Sequence, residues 1–69
     1  MWRIYKWNGH YIMGDLISKH SSEDAALKKA AKEINFTFAE KVKRGKETLI
    51  WLDGNDHTPM GGIVKKSRG

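Results

Sequence analysis

Apolar and polar positions alternate from the second residue of the chain, where Trp2, Ile4 and Trp7 are interleaved with Arg3 and Lys6. The run from Trp2 to Trp7 is aromatic and β-branched, and Asn8-Gly9 follows at once. Asn-Gly tolerates the positive φ of a type I′ turn, so this pattern predicts a β-hairpin over residues 2–18. A two-residue loop pairs Trp7 with His10, Tyr5 with Ile12 and Arg3 with Gly14. Arg3, Tyr5 and Trp7 then share one face. Trp2, Ile4, Lys6, Tyr11, Met13 and Asp15 share the other.

The period changes at Ser21-Ser22-Glu23-Asp24. Ser21 is a natural N-cap with Asp24 three residues later, and two acids complement the positive end of a helix dipole. Ala25 to Ile34 reads as helix. Leu27, Ala30, Ala31 and Ile34 form its apolar stripe, and Lys28, Lys29, Lys32 and Glu33 its polar side. Asn35 is a C-terminal cap.

Residues 36–46 admit two readings. Phe38 and Val42 would extend the helical stripe, or Phe36 and Phe38 would open a strand that turns at Arg44-Gly45-Lys46. Phe-Thr-Phe is a poor helix continuation, which favours an exit near Asn35. Glu47 to Asp53 is a strand, with Leu49 and Trp51 on one side and Ile50 and Leu52 on the other. Gly54, Asn55 and Asp56 form a turn that Pro59, Gly61 and Gly62 extend as a loop. Ile63 to Lys66 is a short last strand. The expected fold is α+β: a single domain over residues 1–69, ββαββ, an antiparallel sheet with one helix packed on one face.

Size changes what this pattern means. A chain of 69 residues with no cysteine has neither disulfides nor a Cys-ligated metal to hold it. Its apolar side chains must do so, and three Trp, two Tyr and two Phe are a large supply. One helix covers one face of a sheet. The second face also carries large apolar groups, so it is expected to meet a second copy in a homodimer, unless residues 36–46 and the C-terminal loop fold across it. No apolar run is long enough for a membrane span or a signal peptide, which makes the cytoplasm the expected location.

Charge adds a softer expectation. The formal net charge is +5, and Lys41, Lys43, Arg44 and Lys46 cluster without an intervening acid. Arg3, Lys6 and Lys19 lie on or next to the first hairpin, near Tyr5, Trp7 and Tyr11. Basic side chains beside aromatic ones suit nucleic acid, DNA or RNA, through phosphate contacts and base stacking. The candidate surface is therefore Arg3, Tyr5, Lys6, Trp7, Lys41, Lys43, Arg44 and Lys46. The alternative is a protein-interaction or inhibitor module, such as a phage or mobile-element accessory protein, that uses the apolar face.

Other constellations are weaker. Asp53, Asn55, Asp56 and His57 resemble the start of a calcium loop but lack its Gly and Glu positions, so a hairpin turn is expected. His10, His20 and His57 belong to no motif. Met60-Gly61-Gly62 lacks the lysine and helix of a phosphate loop. No catalytic residue, metal, cofactor or small-molecule substrate is expected.

The succession of strand, Asn-Gly, strand and a Ser-Ser-Glu-Asp-Ala-Ala helix start, with Leu49-Ile50-Trp51-Leu52-Asp53-Gly54 later, resembles small ββαββ domains of unknown function in bacteria and their phages. Residues 2–34 are also similar to the sheet-plus-helix DNA-binding module of phage integrases and plant ethylene-response factors. That second resemblance implies major-groove reading by a three-stranded sheet, although no third strand precedes the helix here.

Overall fold

The computed structural model describes residues 1–9 and 14–66. Five strands and a helix succeed one another: β1 (Trp2–Lys6), β2 (Asp15–His20), α1 (Glu23–Glu33), β3 (Phe38–Arg44), β4 (Glu47–Asp53) and β5 (Pro59–Lys66). They build one antiparallel sheet in the order β2-β1-β5-β4-β3. The α+β class holds. The ββαββ topology does not, because residues 38–44 form a further strand and the order is ββαβββ.

Cross-strand register fixes the two faces. Trp2 and Ile4 stand beside Lys65 and Ile63, and Ile63 stands beside Ile50. This is the helix side. Trp2, Ile4, Ile50, Leu52 and Ile63 form one buried cluster with Ala26, Ala30 and Ile34. Ile4, Leu52 and Ile63 have no exposed surface at all, and burial of such side chains stabilises by roughly 1.5–3 kcal/mol each.

The helix starts one residue later than expected. Ser22, not Ser21, is the cap, and its hydroxyl accepts from the Ala25 amide at 3.2 Å. The stripe that reaches the sheet is Ala26, Ala30 and Ile34, one residue every turn, with Leu27 partly buried beside it. Ala31 is exposed. Two alanines let the helix lie close to β1 and β2. Ile34 is the last cap position rather than Asn35, and its side chain turns down onto β5.

The first hairpin also differs in register. Tyr5 pairs with Leu16 and Arg3 with Lys19, not with Ile12 and Gly14. Lys6 pairs with Asp15, so a two-residue turn at Asn8-Gly9 does not join the two strands. Trp7 continues along β5 instead, where its amide donates to the Met60 carbonyl at 3.0 Å. Asn8 then crosses Gly14 so closely that its side chain occupies the space a Cβ would take there. The positions of His10, Tyr11, Ile12 and Met13 lie outside the described residues, as do Ser67 to Gly69.

Gly61 and Gly62 lie within β5, the central strand, rather than in a loop. A Cβ on Gly61 would collide with the Tyr5 carbonyl and sit 3.0 Å from Ile34 Cδ1. Glycine here serves close packing of the helix end on bare backbone, a use that reads as a turn in sequence. The β4–β5 turn is shorter than expected. Asp56 and His57 both take φ of 59°, and Gly54 donates to the Thr58 carbonyl at 2.7 Å to close it. Asn55 Oδ1 accepts from the Thr37 hydroxyl at 3.2 Å, which ties this turn to the chain entering β3. His57 stacks on Phe38 with ring centroids 5.3 Å apart.

Candidate nucleic-acid interface

Helix α1 covers one face of the sheet and no described element covers the other. Of residues 36–46, expected as a possible cover, Phe36 packs against the helix-side core and residues 38–46 run within the sheet as edge strand β3 and its turn. The open face can be read as rows across the strands. One row is Lys19, Arg3, Val64, Leu49 and Val42. The next is Leu16, Tyr5, Gly62, Trp51 and Glu40. Arg44 and Glu47 face each other at the end nearest the β3–β4 turn. Val64, Leu49 and Val42 make an apolar strip, and Leu16 stays 47 % exposed.

The eight candidate residues are not gathered on this face. Arg3 and Tyr5 lie side by side on it, with Arg3 exposed and Tyr5 half-buried. Trp7 follows the end of β1 and is 37 % exposed. Lys6 is on the helix side. Its charge, with the hydrogen bond and charge of Lys29 as the larger causes, holds the Glu33 carboxyl below the usual glutamate range. Lys41 also points to the helix side and pairs with Glu23 at 2.7 Å. Lys43 shares that side by register. Arg44 is on the open face opposite Glu47, and Lys46 is exposed in the turn. β5 and β4 separate β1 from β3, which is three strand spacings or roughly 14 Å. Lys41 and Lys43 therefore do not flank Arg3 and Tyr5. Lysines on an edge strand such as β3 disfavour pairing with other chains.

Register brings forward two residues that the sequence reading left out of the set. Lys19 stands directly opposite Arg3, and both are exposed. Trp51 stands two strands from Tyr5, with Gly62 between them. The signal for Trp51 was its spacing from Leu49. Lys19 was visible as a basic residue near the hairpin aromatics, but its place opposite Arg3 was not, because a two-residue turn would have opposed Gly14 to Arg3.

Like charges in direct cross-strand opposition are unfavourable. Neither Arg3 nor Lys19 has an acidic partner among the described residues; the ion pairs there are Lys29–Glu33 and Lys41–Glu23. An uncompensated pair of cations on an uncovered face is an anion-attracting arrangement. The described residues contain no group of three His, Cys, Asp or Glu placed to hold a metal. No helix among them is long and apolar enough to cross a membrane. No family model, curated protein or solved structure matches the chain.

Proposed function

We propose that the protein is a cytoplasmic, non-enzymatic binding module that takes nucleic acid on the open face of its sheet. The observation that carries this reading is the opposed pair Arg3 and Lys19 beside Tyr5. The two cations would hold backbone phosphate, and the adjacent ring would meet a base. Two phosphate contacts correspond to a salt slope of about −1.4 on a single strand. The test is an anisotropy titration of labelled DNA and RNA at about 50 and about 200 mM salt, with Arg3→Gln and Lys19→Gln alongside. Binding that weakens with salt and with either substitution supports the reading. Binding that ignores both substitutions removes it.

A second reading rests on the strip Val64, Leu49 and Val42, which is apolar along its whole width. A second copy of the chain would cover it in a homodimer. Light scattering at micromolar concentration separates the two: a mass near 16 kDa, twice 7.9 kDa, favours the dimer.

A further inference from the structure

We infer that the open face takes single-stranded rather than duplex nucleic acid, with Tyr5 and Trp51 as two stacking rings; this rests on the nucleic-acid reading above. Tyr5 and Trp51 occupy the same row, two strand spacings apart, about 9.6 Å. The position between them is Gly62, which has no side chain. Gly62 is nonetheless buried, although no helix covers this face, while both rings are half-buried. The bare backbone at Gly62 leaves room for the neighbouring rings to lie over the sheet. A ring held that way turns a face to solvent, and a ring face is what an unstacked base needs.

Charge says how the strand would lie. Arg3 precedes Tyr5 by two residues on the same face, about 6.8 Å along β1, and Lys19 adds the second cation at the β2 edge. On the far side, Trp51 is followed by Glu40, whereas Glu47, two rows away, stands opposite Arg44. The anion-compatible part of the face is thus its β2–β1–β5 half. One backbone fits over that half with its bases directed toward β4. A duplex brings a second phosphate rail, which would pass over Glu40, and keeps its base faces stacked out of reach of either ring.

The test compares a labelled oligothymidylate strand with a duplex of equal length, by anisotropy at low salt. Single strands are expected to bind at least about tenfold tighter, since each stacked base contributes on the order of ten- to a hundredfold in affinity. Tyr5→Leu and Trp51→Leu keep an apolar side chain at each position but remove the π face, and each should cost about tenfold or more. Tyr5→Phe should cost little. Glu40→Lys, at an exposed edge position, should tighten single-strand binding, a gain that damage to the fold would not produce. Equal binding of strand and duplex, with Tyr5→Leu and Trp51→Leu silent, overturns this inference and leaves the nucleic-acid reading standing. No binding of either form overturns both.

Discussion

Arg3 and Lys19 face each other directly across β1 and β2, both exposed, on the side of the sheet that the helix leaves bare. Cross-strand pairs of this kind change stability by roughly 0.2–1 kcal/mol. Replacing Lys19 with Glu turns repulsion into attraction. Lys19→Glu should therefore stabilise the fold by up to about 1 kcal/mol at low salt, and less at high salt, in urea denaturation. The same substitution should weaken nucleic-acid binding. A variant that is both less stable and equally good at binding would remove the role assigned to this pair.

The helix cap separates two adjacent serines. Ser22→Ala should cost about 0.5–2 kcal/mol, because the Ala25 amide loses its acceptor. Ser21→Ala should be nearly neutral. Thermal melts of the two variants check this, and equal losses would place the cap elsewhere.

Much of this fold is legible in the sequence because alternation and burial agree. β4 is bounded at Glu47 and Asp53 as its pattern indicates, with Ile50 and Leu52 inward. The order of β1, β2 and α1 follows from turn and cap chemistry. What is not legible is register. Asn8-Gly9 looks like a tight turn, yet Trp7 bonds to Met60 and β2 starts only at Asp15. That shift puts Lys19 opposite Arg3 and so creates the candidate site. Gly61 and Gly62 misdirect for a related reason: their absent side chains serve long-range packing, which a local reading takes for a loop. The basic cluster Lys41 to Lys46 divides between two faces because a strand alternates its side chains.

Gly61 tests the packing argument. Gly61→Ala would set a methyl group against the Tyr5 carbonyl and Ile34 Cδ1, and backbone cannot yield as a flexible side chain can. The expected loss is about 1–3 kcal/mol, read as a lower urea midpoint. A chain of this length has a total stability of only several kcal/mol, so partial unfolding at 37 °C should accompany it. An unchanged midpoint would mean that the helix end does not sit on β5.

Glu33 gives a pH dependence of known sign. Its hydrogen bond and ion pair with Lys29, 2.9 Å apart, hold its folded-state pKa below the ordinary glutamate value. The linked stabilisation is present above the ordinary value and is lost as pH falls through the lowered one. An NMR titration of the side-chain carboxyl should show that low value, and Lys29→Gln should raise it toward normal. Lys6→Gln should raise it by less, which would also place Lys6 on the helix side. A Glu33 titration indifferent to Lys29 would contradict the pairing.

Amide and indole chemical-shift mapping during titration with a short single-stranded oligonucleotide measures which face binds. The largest changes are expected at Arg3, Tyr5, Lys19 and the Trp51 indole, with Lys28, Lys29 and Lys32 on the helix unmoved. Changes confined to the helix lysines, or none at saturating ligand, would contradict it.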